Sequence, residues 1–272
     1  MNEYFLLDSG NGKKLERFGN YTLIRPCSQA IWQPLLPESR WHEAHASFSR
    51  EGGNNWEKKD LPKTWMVKID DLKMKLSSTD FGHLGIFPEH REIWKCCKEI
   101  LETSRGAHFL NLFAYSGGAT CMAAKTGAKV CHVDASSGMV DWARENASLN
   151  DLSHAPIRWI VDDVIKFLKR EVKRGVRYDA ILLDPPTFGR GAQKEVFKIE
   201  RDLHPLLDLC KQLLSDFPLF LILTCHTPGL TPTVLQHLIS QKFKGRAEFG
   251  ELFLFSPKTL SIPSGSYIIW KP

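Results

Sequence analysis

Long hydrophobic runs are missing from this sequence. The most apolar stretch, FPLFLILTC from Phe217 to Cys225, is far too short to cross a bilayer. The opening MNEYFLLDSGNGKK carries no basic segment followed by a long apolar core, so no secretory signal is expected. Cysteines in metal-binding or disulfide patterns are missing too. The seven that occur, Cys27, Cys96, Cys97, Cys121, Cys131, Cys210 and Cys225, are odd in number and show neither CxxC nor Cys/His ligand spacing. That excludes a disulfide framework and a zinc site, and it fits a reducing, cytoplasmic setting with no metal. There is no internal repeat and no low-complexity tract. The glycine fingerprint G-x-G-x-x-G, which a dinucleotide pyrophosphate would want, is absent as well. That weighs against a nucleotide-dependent oxidoreductase.

What is present is an ordinary soluble composition in 272 residues, 43% hydrophobic and 25% charged, enough for one large domain with a smaller appendage. The formal net charge of +5 is mild, but its lysines and arginines gather in KKLER from Lys13, KREVKRGVR from Lys169 and KFKGR from Lys242. Each cluster is either an attraction for an anionic partner or the wet face of a helix.

Residues 1–80 are punctuated by turn signals (SGNG, FGN, EGGNN, LPK) and short β-branched or aromatic runs such as YTLIRP and WMVKI. They predict a small β-rich N-terminal region. Within it Leu72, Met74 and Leu76 alternate with lysines as a half-buried strand does. Residues 81–272 form the second predicted domain. PEHREIWKCCKEILETSRG has a proline start, helical spacing of apolar residues and a glycine end. Apolar strands then alternate with amphipathic helices as far as LFLILTC and PTVLQHLISQKF. This grammar predicts a doubly wound α/β domain, a parallel sheet covered on both faces, with two last strands at an antiparallel edge. Its functional residues belong at the carboxyl ends of the strands.

Four strand ends carry chemistry. NLFAYSGGAT places Gly117 and Gly118 at a helix start, either a tight structural turn or a place where a ligand approaches the backbone. HVDAS places Asp134 sixteen residues after Gly118, where a carboxylate can reach a ribose diol. Its alternative is a helix cap, which Ser136 or Ser137 could provide instead. VDDV places Asp163 either as a cap or as an acceptor for an adenine amino group. YDAILLDPPTFGRG ends a buried strand on Asp184, Pro185, Pro186 and Phe188. The carboxylate and two proline-stiffened carbonyls suit the N–H edge of a flat heteroaromatic ring, and Phe188 can stack on its face. LTCHTPG puts Cys225 and His226 at a fifth strand end, the thiol facing either the pocket or the packing.

These motifs, in this order, resemble class I S-adenosylmethionine-dependent methyltransferases. More narrowly, they resemble the bacterial ribosomal RNA base methyltransferases acting on cytosine C5 or guanine N7 of large-subunit RNA. GHLGIFPEHR, FLNLFAYSGGAT, VDAS with WARENASLN, VDDVIKFL and DAILLDPPTFGRG carry the likeness, over roughly residues 80–230. The resemblance implies a Rossmann-like methyltransferase fold and S-adenosyl-L-methionine as cofactor. Phe87 and Glu89 would lie over its methionine end, Asn111, Phe113 and Gly117 along its amino-acid moiety, Asp134 at the ribose and Asp163 at the adenine. Asp184, Pro185, Pro186 and Phe188 would hold the target base. Relatives that modify cytosine C5 carry a cysteine where this chain has Cys225, so a thiolate adding to C6 is one implied mechanism. The flanking FSCS character is missing here.

The expected function is methylation of a ribosomal RNA base. The alternatives are transfer to a small molecule or protein side chain, and an RNA-binding scaffold without turnover. An activated methyl group needs alignment more than acid–base machinery, which accounts for the lack of a Ser/His/Asp constellation. The chain opens directly on the β-rich region, so RNA recognition is expected from that region, the basic clusters or a partner. The sequence leaves the oligomeric state open.

Overall fold

The computed structural model describes residues 3–190 and 196–272. Gly191, which closes the GRG run, lies outside them. The chain divides into two compact units: Met1–Arg91 with Phe253–Ser264, and Glu92–Leu252 with Gly265–Pro272. The division thus falls at Arg91 rather than at residue 80, and a C-terminal segment belongs to the first unit. No helix among the described residues is long and apolar enough to cross a membrane.

The first unit is built on β1 (Tyr4–Gly10), β2 (Lys13–Phe18), β3 (Tyr21–Pro26), β4 (Ala46–Ser49) and β5 (Asn55–Lys58), in that order in one sheet, with α1 (Glu38–His42) before β4. The β1–β2 turn is Asn11–Gly12, both at positive φ, as a two-residue hairpin of native twist demands. Asp8 is buried and accepts from Leu35 N, Leu36 N and the Trp41 indole. It thereby fixes the loop that leaves β3. A separate hairpin, β6 (Thr64–Ile69) and β7 (Leu72–Ser77), turns at Asp70, φ 50°. Its alternation is strict: Trp65, Val67, Ile69, Leu72, Met74 and Leu76 are buried while the residues between them face outward.

The second unit opens with α2 (Arg91–Glu102), followed by β8 (His108–Leu112), α3 (Gly118–Lys125), β9 (Lys129–Asp134), α4 (Ser137–Leu149), β10 (Ile157–Val161), α5 (Val164–Lys173) and β11 (Ala180–Leu183). A short hairpin, β12 (Phe188–Arg190) and β13 (Val196–Lys198), precedes α6 (Ile199–Leu213), β14 (Phe220–Cys225), α7 (Pro232–Ser240), β15 (Arg246–Leu254) and β16 (Ile262–Lys271). The sheet order is β10-β9-β8-β11-β14-β16-β15. β10, β9, β8, β11 and β14 pair in parallel, and β16 runs antiparallel to β14. This is the doubly wound arrangement the alternation predicts. β8 and β11 lie at its centre with strands on both sides, which is why Ala180–Leu183 is apolar throughout and Phe109–Leu112 is apolar but for the buried Asn111. One face is sealed by Leu183, Leu223 and Cys225 packed with Phe167, Leu206 and Leu235 of the helices.

Candidate active site

The end of β8 is an irregular loop. Phe113, Tyr115 and Gly117 adopt positive φ of 55°, 51° and 84°, a conformation non-glycine residues hold only when their surroundings impose it. Two contacts impose it. Tyr115 N–H donates to Asp134 Oδ2 at 2.9 Å, and Asn146 of α4 donates its amide to Ser116 O at 2.8 Å. The two glycines have separate reasons. A Cβ on Gly117 would lie 2.8 Å from Ala143 Cβ, and one on Gly118 would lie 2.4 Å from the Trp94 ring. Both close approaches exist because neither residue has a side chain. Asn111 works from below: its amide donates to Thr120 Oγ1 at 3.0 Å, and Thr120 in turn meets His132 Nδ1 at 2.9 Å. Burial holds the His132 pKa down at about 3, so the ring is neutral. Asn111 is buried, while Phe113 stays half-buried, its ring 5.2 Å from Phe197.

Asp134 ends β9. Its two oxygens accept from Tyr115 N–H and Ser136 N–H, each at 2.9 Å, and burial raises its pKa against these bonds. The cap of α4 is Ser136, which accepts from Met139 N–H. Asp134 is thus relieved of capping. A carboxylate oxygen has more than one lone-pair site, so both oxygens retain capacity for a diol. Asp163 does cap α5, its Oδ1 accepting from Lys166 N–H at 2.9 Å, and Oδ2 carries no hydrogen bond among the described residues. The neighbouring Asp162 pairs with Arg170.

Asp184 follows β11, its N–H 3.4 Å from Leu112 O, so the acidic strand end adjoins the start of the glycine loop. Its Oδ1 accepts from the Thr224 hydroxyl at 2.7 Å and lies 3.6 Å from His226 Nε2. Pro185 is buried and Pro186 exposed. Phe188 is 48% exposed, with Arg190 over its ring at 5.7 Å. Thr187 and Thr227 share a 2.8 Å hydrogen bond that ties this loop to the end of β14.

Cys225 is a different matter. It is 1% exposed, belongs to the helix-covered core cluster, and burial raises its thiol pKa. Successive strand residues face opposite ways, and the neighbour facing Asp184 is Thr224.

Phe87 and Glu89 lie in the first unit, around a 3₁₀ turn at Pro88–His90. The Phe87 ring sits 5.3 Å from His83 and 6.1 Å from His90, and Glu89 is half-buried. Sequence reasoning passed over Thr224, Tyr115 and Thr120. Strand parity alone pointed to Thr224, because it has the parity that faces away from the apolar Leu221, Leu223 and Cys225.

Four adjacent strand ends therefore present a strained glycine loop, one acid relieved of capping, one acid with an open oxygen, and a carboxylate–aromatic edge. The family model for S-adenosylmethionine-dependent methyltransferases matches residues 39–242. The chain belongs to this family. The S-adenosylmethionine-dependent methyltransferase from Agrobacterium tumefaciens superposes with a TM-score of 0.96 at 37% identity, over 100% of this chain and 91% of that one. A methyltransferase crystallised with SAH shares the fold, with a TM-score of 0.79 at 19% identity, over 100% of this chain and 76% of the other. Among curated relatives, the ribosomal RNA large subunit methyltransferase K/L of a Shewanella species is 34% identical over 61% of this chain. That of Pseudoalteromonas translucida is 35% identical over 56%. The chain spans less than a quarter of their length, 23% and 21%.

The cofactor of this methyltransferase family is S-adenosylmethionine, and the residues present fit it. The glycines let the loop after β8 pack closely on Ala143 and Trp94, which sets its backbone beside the end of β9. The acid at the second strand end is half-buried and retains lone pairs, and no pyrophosphate motif competes.

Proposed function

We propose that this methyltransferase modifies a base of ribosomal RNA. The observation carrying the proposal is Asp184: a carboxylate at the end of a central strand, fixed by the Thr224 hydroxyl and followed by two prolines and a half-exposed Phe188. An acceptor edge beside an aromatic face is what an unstacked base requires. The names of the K/L relatives support RNA as the substrate class. The cytoplasm, where ribosomes assemble, is the corresponding location.

In this reading Asp134 accepts from the ribose hydroxyls and Asp163 Oδ2 from the adenine amino group. Asn111, Phe113 and Gly117 line the amino-acid moiety. When bound, S-adenosylmethionine supplies an activated methyl group. Asp184 and the carbonyls of Pro185 and Pro186 orient the base by accepting its N–H groups, with Phe188 on the ring face. Their contribution is alignment of the accepting atom with the methyl. Burial of Cys225 on the opposite side of β14 from Thr224 supports a packing role for its thiol, and so an acceptor nitrogen rather than C5.

The test is transfer of a labelled methyl from S-adenosylmethionine to ribosomal RNA lacking the modification, by wild type and by Cys225→Ser. Labelled RNA in both supports the proposal. Label lost in the variant, with cofactor still bound, restores the thiolate route to C5. Cofactor binding without any RNA labelling points to a small molecule or protein side chain.

A further inference from the structure

The β12–β13 hairpin, which follows the proline pair, has two unlike faces. Its inward residues are Gly189 and Phe197, directly opposite each other in the register. A Cβ on Gly189 would lie 3.3 Å from Pro186 Cγ, and the buried Phe197 ring is 5.2 Å from Phe113. The inward face therefore packs on both the acidic strand end and the loop after β8. Ile199 N–H closes the base of the hairpin by donating to Thr187 O at 3.1 Å.

Side chains alternate along each strand, so the outward face carries Phe188 and Arg190 on one strand and Val196 and Lys198 on the other, all exposed. The register sets Lys198 directly opposite Phe188, and Val196 opposite Arg190. Each cross-strand pair thus joins an apolar side chain to a cation. The Arg190 guanidinium lies over the Phe188 ring at 5.7 Å, within cation–π range. Among the described residues no carboxylate pairs with the side chain of Arg190 or Lys198. The nearby Asp202 is engaged by Arg201 and by the Lys198 N–H.

A single RNA strand alternates flat bases with phosphates, and proteins that hold one combine aromatic platforms with cations. We infer that the outward face of this hairpin grips the RNA strand on either side of the target base, an inference resting on the RNA reading above. Arg190 and Lys198 take the phosphates that flank the target nucleotide, Phe188 keeps the base between them, and Val196 packs against the adjoining ribose or base. The cation contacts position the strand without reading its sequence. Holding the backbone on both sides keeps the base out of its stack and at the acceptor edge of Asp184.

The experiment measures binding of an unmodified, transcribed large-subunit ribosomal RNA fragment to the full chain across a salt series. It compares wild type, R190A/K198A, and K169A/K173A on α5 as a control with the same change in net charge. The hairpin variant should bind about tenfold or more weakly, with a log–log salt slope reduced by roughly 1.4, as for two lost contacts to a single strand. The control should keep the wild-type slope. R190K/K198R keeps both charges and should recover that slope, which separates a charge contact from a packing defect. Affinity of R190A/K198A for S-adenosylmethionine should stay within about twofold of wild type, because its cofactor acids lie on other strands. An unchanged slope in R190A/K198A, or a slope lost instead in K169A/K173A, with wild type binding RNA, overturns the inference and leaves the RNA reading standing. Failure of wild type to bind the RNA, with cofactor still bound, removes both.

Discussion

The Thr224 hydroxyl donates to Asp184 Oδ1 across the ends of two adjacent parallel strands, at 2.7 Å. This bond points the carboxylate away from the helix-covered core. A hydrogen bond to a charged group contributes about 1.5–3 kcal/mol. Thr224→Val keeps the side-chain shape and removes the bond, so methyl transfer should slow by roughly tenfold to a hundredfold. Affinity for S-adenosylmethionine, measured by calorimetry, should stay within about twofold of wild type, since the acids assigned to it lie on other strands. A matching loss of cofactor affinity would place Asp184 on the cofactor side instead.

Asp184→Ala removes the acceptor itself. Transfer should fall below detection in the labelled-methyl assay, with cofactor affinity retained and the melting temperature within a few degrees of wild type. The chain stays folded because the core of this sheet is carried by the buried residues of β8, β11 and β14.

Asp134 should show the reverse split. Asp134→Ala is expected to weaken S-adenosylmethionine binding by roughly tenfold to a hundredfold, the loss of hydrogen bonds to a charged acceptor. The pH dependence follows from burial, which raises its pKa above the ordinary aspartate value of 3.8. Holding a buried carboxylate ionised costs stability, and that cost is relieved as pH falls through the raised pKa. Diol binding needs the carboxylate, so affinity should drop in that same window, at higher pH than an ordinary aspartate would give. Titration of cofactor affinity in wild type, set against Asp134→Asn, measures this. A wild-type curve that stays flat down to the ordinary aspartate range would contradict the ribose assignment.

Gly118→Ala should be worse than an exposed glycine substitution, because its Cβ meets the Trp94 ring at 2.4 Å. Overpacking of this kind costs about 1–3 kcal/mol. Thermal denaturation should show a lowered midpoint, and Trp94→Phe in the same chain should recover part of it. Gly127→Ala, with open space around the added atom and φ 83°, provides the comparison: it carries backbone strain without a clash.

The sheet of the second unit was legible because its strands are short apolar runs between amphipathic helices, and period is the strongest local signal a sequence holds. The acids at the strand ends were legible for the same reason: once the strands are placed, their last residues are known. Two things were not. Asn111 reads as a pocket residue by position, and its hydrogen bond to Thr120, nine residues on, was not legible. That pairing depends on how α3 folds back over β8, which local pattern does not encode. The β12–β13 hairpin after the proline pair was also missed, because strands of three residues have too little length to show alternation.

Cys225 was the residue on which sequence position and strand parity disagreed. Position places it at a strand end beside Asp184, where a nucleophile would stand. Parity places its side chain with Leu221 and Leu223, and the structure buries it to 1% exposure among them. Burial also raises its pKa, which disfavours the thiolate that nucleophilic attack requires. Cys225→Ala should therefore leave methyl transfer within about threefold of wild type and cost about 1–2 kcal/mol of stability as a small buried side chain is lost, seen as a shift in urea midpoint. A variant as stable as wild type but with transfer abolished would reverse both parts, since only a side chain that reaches the base can stop the reaction without loosening the core.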